Sequence, residues 1–256
     1  VSNLLISYDL LFDILKVDAE FSKVFLDSIY LHAQFIFSHL EYKEGLTGNH
    51  YLFNLIGLLF ATTYLKETVE LRRWNSFAVA EVEQEIFKQF FDDGGNFEGS
   101  TTYHCLSAEM MIYATALMLR NGIDLSNQYI DRLYRIGEFI SGITKPNGEL
   151  PQFGDNDSGK LFKFSQLQKH NSLNSESLLA AFSGLFNDDT FKVNSLEFSI
   201  SRQVIQQFSL GASLKYPLRD LKSVTPISAK KLKFKKETMI KFDKTISLAK
   251  ISKFSY

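Results

Sequence analysis

The run GLTGNHYLFNLIGLLFATTYLK, residues 45–66, decides how the chain folds. Gly45-Leu46-Thr47-Gly48 breaks the preceding segment, and from Asn49 to about Lys66 apolar residues recur at three- and four-residue spacing, the period of a helix. No formal charge occurs from Gly45 to Leu65, a span close to the ~20 residues that cross a bilayer. A membrane position would, however, place Asn49, His50, Asn54, Thr62 and Thr63 in hydrocarbon, where each unsatisfied polar group costs several kcal/mol. The stretch therefore reads as a helix buried in protein, with no stable membrane insertion expected. Asn49 has the side chain of an N-cap.

Working outward, the same periodicity predicts a helix over Phe21–Tyr42, largely buried like the one that follows it. An amphipathic helix begins at Trp74 or Asn75 and stops at Asp92-Asp93-Gly94-Gly95, setting Phe77, Val79, Val82, Ile86, Phe87 and Phe90 beside a Glu-rich face. Another runs from about Gly99 to Arg120, closed by Asn121-Gly122. A fifth covers Asn127–Ile143, and a short one Ser175–Phe186. Beyond Asn187 the alternation favours strands, at Leu196–Ile200 and at Lys233-Phe234-Lys235. The twelve Lys or Arg between Lys215 and Lys253, against Asp220, Glu237 and Asp243, read as a solvated sheet face. Paired helices joined by glycine-rich turns suggest a hairpin array, either a solenoid or a closed toroid.

Composition narrows the function classes. With 256 residues and 45% hydrophobic side chains the chain can build a real core. Lys+Arg of 28 against Asp+Glu of 29 leaves a net charge of -1, so nucleic acid is not an expected partner. The single cysteine, Cys105, excludes an intrachain disulfide framework and a cysteine-rich zinc site. Val1–Leu15 carries Asp9 and Asp13 with no basic residue before Lys16, the wrong polarity for a secretory signal peptide.

Three segments could carry chemistry. Gly48-Asn49-His50 opens the second helix, with Asn54 one turn on. In Phe97-Glu98-Gly99-Ser100-Thr101-Thr102-Tyr103-His104, the residues Ser100, Tyr103, His104 and Ser107 share one helix face; the plainer account is that Tyr103 and His104 are half-buried and satisfied by neighbouring helices. Gly154-Asp155-Asn156-Asp157-Ser158-Gly159 has the composition of a calcium loop but neither the spacing nor the closing glutamate, so it offers weak support for a structural divalent cation; no cofactor or catalytic metal is expected.

Taken in order, Gly48-Asn49-His50-Tyr51-Leu52 through Asn54 and Ala61, then Asp93-Gly94-Gly95 with Glu98-Gly99-Ser100 and Tyr103-His104, then Pro151 to Gly159, the chain resembles the heparinase II/III and alginate lyase superfamily of polysaccharide lyases over roughly Phe21 to Phe164. The resemblance implies a mainly α fold, a partial (α/α) toroid followed by the start of an antiparallel β-sandwich, here an incomplete helical domain over 1–190 and a β-rich segment over 191–256. It implies β-elimination on a uronic-acid-containing polysaccharide, an acidic glycan as partner, and a periplasmic or secreted setting. By resemblance Asn49, with His50, would neutralise the uronate carboxylate, Tyr103 would act as base, acid or both, and His104 and His50 would support its phenolate. Glu98, Ser100, Asn54 and Asp155 would bind substrate. Family members usually draw a further catalytic histidine or tyrosine from the later domain, and after His104 only His170 remains. Two other expectations stay open: a non-catalytic carbohydrate-binding or assembly protein on the same cleft, and a hydrolase pairing Glu98 with Asp155 or Asp157.

Overall fold

The computed structural model describes residues 1–15, 18–45, 47–156, 160–162, 172–191, 193 and 195–214. These form eight helices: α1 Ser2–Leu15, α2 Ala19–Ser38, α3 Asn49–Tyr64, α4 Val69–Gln89, α5 Thr101–Arg120, α6 Asn127–Ile143, α7 Glu176–Phe186 and α8 Leu196–Phe208. Among the described residues there is no strand, only isolated bridges at Phe90–Asn96 and Glu149–Asn174.

Two helices form the centre. α3 packs against α1, α2, α4 and α5, and α5 against α3, α4, α6, α7 and α8. Both are apolar nearly all round, as a helix with neighbours on every side must be. The membrane-like stretch thus becomes a 16-residue helix enclosed by protein. Among the described residues no helix is long and apolar enough to cross a membrane.

The helix starts follow local chemistry. Asp18, Thr68, Ser100, Ser126 and Ser195 each accept a first-turn backbone N–H through the side chain. The Thr68 cap starts α4 five residues before the expected Trp74, and its buried face, Leu71, Trp74, Ala78, Val82, Glu85, Ile86 and Gln89, includes two polar residues that recur at the site below. α2 is less buried than expected: only Ile29 and Ala33 are enclosed, while Phe21, Val24, Leu31 and Phe35 are exposed.

α1 folds from the segment read only for its lack of export polarity. It buries Leu5 and Ile6, and Asp9 forms a bidentate ion pair with Arg120 at the end of α5. The Arg120 guanidinium also lies 5.9 Å from the Tyr64 ring centroid and 5.8 Å from that of Phe208, tying α1, α3, α5 and α8 together. Phe60, Tyr113, Phe162 and Phe208 fill the space beneath it with ring contacts of 4.4–6.2 Å.

The strand expected at Leu196–Ile200 is instead the first turn and a half of α8. Five residues of alternation fit either period, but the longer pattern Phe198, Ser201, Ile205, Phe208 is helical, and these four are the residues α8 buries. The expected strand at 233–235 lies outside the described residues. α8 approaches α7 closely at Gly184, where a Cβ would stand 2.4 Å from Ile205 Cγ2 and 3.0 Å from the Arg202 carbonyl. Gly184→Ala is expected to cost about 2 kcal/mol through overpacking and to lower Tm by roughly 4–8 °C. Thermal unfolding followed by circular dichroism checks this, and an unchanged Tm would mean the two helices separate freely.

Candidate active site

The site begins with an exception among the helix starts. The N-cap of α3 is Gly48, not Asn49, and Gly48 has no side chain to offer. The carboxylate of Glu98, on the turn between α4 and α5, takes over. Its Oε1 accepts the Asn49 backbone N–H at 3.1 Å, and its Oε2 accepts the Asn49 side-chain N–H from Nδ2 at 3.1 Å. Asn49 is only 7% exposed, so this contact sets the orientation of its amide.

The loop before α3 is held from α4. Thr47 donates to Glu85 Oε2 at 2.7 Å, and Gln89 Nε2 donates both to the Gly48 carbonyl and to Glu85 Oε2. Glu85 is fully buried, and Lys88 Nζ at 2.8 Å balances its charge. Burying this carboxylate without such partners would cost several kcal/mol.

The Glu98 turn is shaped by Asn96. The Asn96 side-chain oxygen accepts the Glu98 N–H at 3.0 Å, and the Asn96 N–H donates to His104 Nδ1 at 3.1 Å. His104 is 3% exposed and packs between Phe90 and Phe139. Burial lowers its pKa to about 3, opposed by the Ile136 backbone carbonyl. At neutral pH His104 is therefore an uncharged imidazole, enclosed more completely than the half-buried placement expected for it.

Ser100 caps α5, its Oγ accepting the Tyr103 N–H at 3.4 Å. The same hydroxyl donates to the Asp155 backbone carbonyl at 2.6 Å, and Thr102 donates to that carbonyl at 2.9 Å. Thr101 completes the dock: its hydroxyl donates to the Pro151 carbonyl and accepts the Phe153 N–H, while its N–H donates to the Phe153 carbonyl. The 151–156 loop can approach so closely because residue 154 is glycine. Its φ is +63°, and a Cβ there would stand 2.9 Å from the Gly99 carbonyl and 3.0 Å from Ser100.

The fold therefore gathers Asn49, Glu98, Ser100, Tyr103 and the Asp155 loop around the starts of α3 and α5. Asn49 touches Glu98 directly; Tyr103 follows on the turn of α5 that Ser100 caps and is half-buried. Ser100 is nearly enclosed and committed to loop and cap, and Asp155 meets it through the backbone, its side chain exposed. His50 is exposed with Nδ1 3.1 Å from Glu41 Oε2, while Asn54 holds the same glutamate by accepting its backbone N–H at 2.7 Å. Asp157 and His170 lie outside the described residues. Among those described, no group of three or more His, Cys, Asp or Glu is disposed to hold a metal ion.

One residue escaped the sequence reading. Glu109 on α5 is 5% exposed, accepts the backbone N–H groups of Leu161 at 2.6 Å and Phe162 at 3.3 Å, and is raised by burial to about 7. Its signal was its isolation, the lone acidic side chain between Tyr103 and Arg120.

Residues 1–177 match the heparinase II/III N-terminus family, and the chain belongs to that family. It is similar to a heparin-sulfate lyase of Pedobacter heparinus, 29% identical over 133 residues that make up 51% of this chain and 20% of that protein. A heparin-sulfate lyase of Bacteroides stercoris is 27% identical over 140 residues, 53% of this chain and 20% of the relative. The matched region thus spans about a fifth of the length of these relatives. No solved structure matches the chain.

Two of the perturbed groups bias stability in opposite directions. His104, with a folded pKa of about 3 below the ordinary 6.5, leaves the unfolded chain binding more protons between those values, so stability is lost as pH falls from about 6.5 toward 3. Glu109, raised from 4.5 to about 7, makes stability fall as pH rises through that window. In His104→Asn, which keeps an acceptor for the Asn96 N–H, the acid-side loss is expected to flatten in urea unfolding series across this range. An unaltered slope would show that His104 carries no such burden.

Proposed function

We propose that this chain is the helical portion of a heparinase II/III-like polysaccharide lyase, cleaving a uronic-acid-containing polysaccharide by β-elimination. The observation that carries the reading is the joining of two helix starts by Glu98, which sets the Asn49 amide beside the turn that leads into Tyr103, within a chain of this family. The heparin-sulfate lyase relatives support an acidic glycan as substrate.

The chemistry requires two things. The C5 proton of a uronate becomes removable only when its carboxylate is neutralised, because charge from the broken C–H bond flows onto that group. The second N–H of the Asn49 amide, with exposed His50 beside it, supplies donors for this. A base must then take the proton. A phenol with an ordinary pKa of about 10 is a weak base at neutral pH, so Tyr103 acts when the bound sugar and its donors favour the phenolate. The C5–H electron pair forms the C4–C5 double bond, the C4–O4 bond breaks, and the leaving oxygen takes a proton from Tyr103. In this reading His104, neutral and enclosed, supports the Glu98 turn through Asn96 and supplies no positive charge to the phenolate. The helices, in this reading, form part of an (α/α) toroid.

Incubation with heparan sulfate or alginate should generate the ultraviolet absorbance of the unsaturated uronate, and Tyr103→Phe should lower its rate by at least about 100-fold. No absorbance from any acidic glycan would defeat the lyase reading. Because the match spans a fifth of each relative, glycan binding without turnover, retained in Tyr103→Phe, would favour a binding or assembly protein on the same cleft.

A further inference from the structure

The family resemblance implies that Glu98 binds substrate; the geometry points to another role. We infer that Glu98 is a positioning residue that aims the Asn49 amide at the substrate carboxylate, a role that rests on the lyase reading above. Both oxygens of the Glu98 carboxylate are engaged by one residue: Oε1 by the Asn49 backbone N–H and Oε2 by its side-chain N–H, each at 3.1 Å. A carboxylate so occupied offers an acidic sugar only repulsion, which argues against direct contact.

Its effect on Asn49 is specific. An amide can rotate to present either its oxygen or its nitrogen, and the two ends are opposite in hydrogen-bonding character. A carboxylate accepts only, so Glu98 selects the orientation with nitrogen toward itself. One N–H is consumed and the other keeps a fixed direction. Glu98 is itself held, its own N–H donated to Asn96 Oδ1 and its turn fastened to Gln89 through the Phe97 N–H. Gln89 also grips the Gly48 carbonyl, so donor and carboxylate are referred to the same part of α4. The charge on Glu98 further favours the start of α3, where backbone N–H groups point outward.

Two measurements on the whole chain test this. In the wild-type protein, one of the two Asn49 side-chain amide protons should exchange with solvent several-fold more slowly than the other; two protons that exchange equally fast would overturn the contact. Initial rates on heparan sulfate oligosaccharides should show kcat for Glu98→Gln reduced by about tenfold or more, with KM within about threefold. In an Asn49→Ala background the same substitution should change kcat by less than about twofold. Equal losses in both backgrounds, or an effect confined to KM, would show that Glu98 acts on substrate independently. Wild-type protein that turns over no acidic glycan overturns the lyase reading and this role with it, while amide exchange still reports whether Glu98 orients Asn49. Amide exchange is read on folded wild-type protein, so the contact is decided even if Glu98→Gln fails to fold.

Discussion

The start of α3 lacks a capping side chain of its own, and the fold is arranged around meeting that deficit. A helix leaves its first N–H groups without intrahelical partners, and five of the other helices satisfy one of theirs with the residue just outside the first turn. Glycine at 48 removes that option. The acceptor comes instead from Glu98, so the turn between α4 and α5 must lie against α3. Once it does, the rest follows. Ser100 begins α5 two residues later, Thr101 and its neighbours receive the 151–156 loop, and Asn96 reaches back to His104. A local gap in helix chemistry thus becomes a tertiary constraint that brings distant polar segments together.

The same region shows how buried polar groups are made tolerable. Glu85 and Gln89 lie on the inward face of α4, where a period-based reading expects apolar side chains. They replace packing with directional contacts: Glu85 binds Thr47, Gln89 and Lys88, and Gln89 binds Gly48. Such a network constrains geometry more tightly than apolar contact, because each bond has a preferred direction as well as a distance. His104 makes the complementary choice. Enclosed by Phe90 and Phe139, it gives up its charge and keeps one acceptor contact with the backbone. Charge is retained where partners converge and abandoned where aromatic rings do.

How much of this was legible in the sequence depends on the range of the interaction. Helices α3 and α5 were readable because apolar periodicity acts within a few residues, and the Asn121-Gly122 stop stands where local chemistry puts it, whereas the cap expected at Asn49 falls on Gly48 and Ser100, expected on the helix face, caps α5. The errors have the same origin. Leu196–Ile200 was too short a window to separate the two periods, and the rest of α8 settles the matter through Ile205 and Phe208. The exposure of α2 depends on which neighbours a helix finds, which its own pattern does not encode. The segments Gly48-Asn49-His50 and Tyr103-His104 stand out in the sequence itself. That Glu98 serves Asn49 does not, because a residue 49 positions away supplies the missing cap and no local rule connects them. Glu109 was hidden for a similar reason, since its partners are backbone groups at Leu161 and Phe162 that only the folded chain presents.

The arrangement also bears on why lyase chemistry would be placed at helix starts. A uronate carboxylate must gain stabilisation as its neighbouring C–H breaks, and donors held rigid beforehand need no reorganisation at that moment. The first turn of a helix is rich in outward N–H groups, but one left open is satisfied by water and loses definition. Glu98 removes that freedom by filling the backbone position at α3 and holding the Asn49 side-chain amide in one orientation. In the proposed role its cost would be a negative charge near a bound anion. That cost would be limited because both Glu98 oxygens are turned to Asn49. Hydrogen bonds are short-ranged and directional while exposed charge repulsion is screened in solution, a difference that would let an acidic residue organise the proposed site for an acidic sugar.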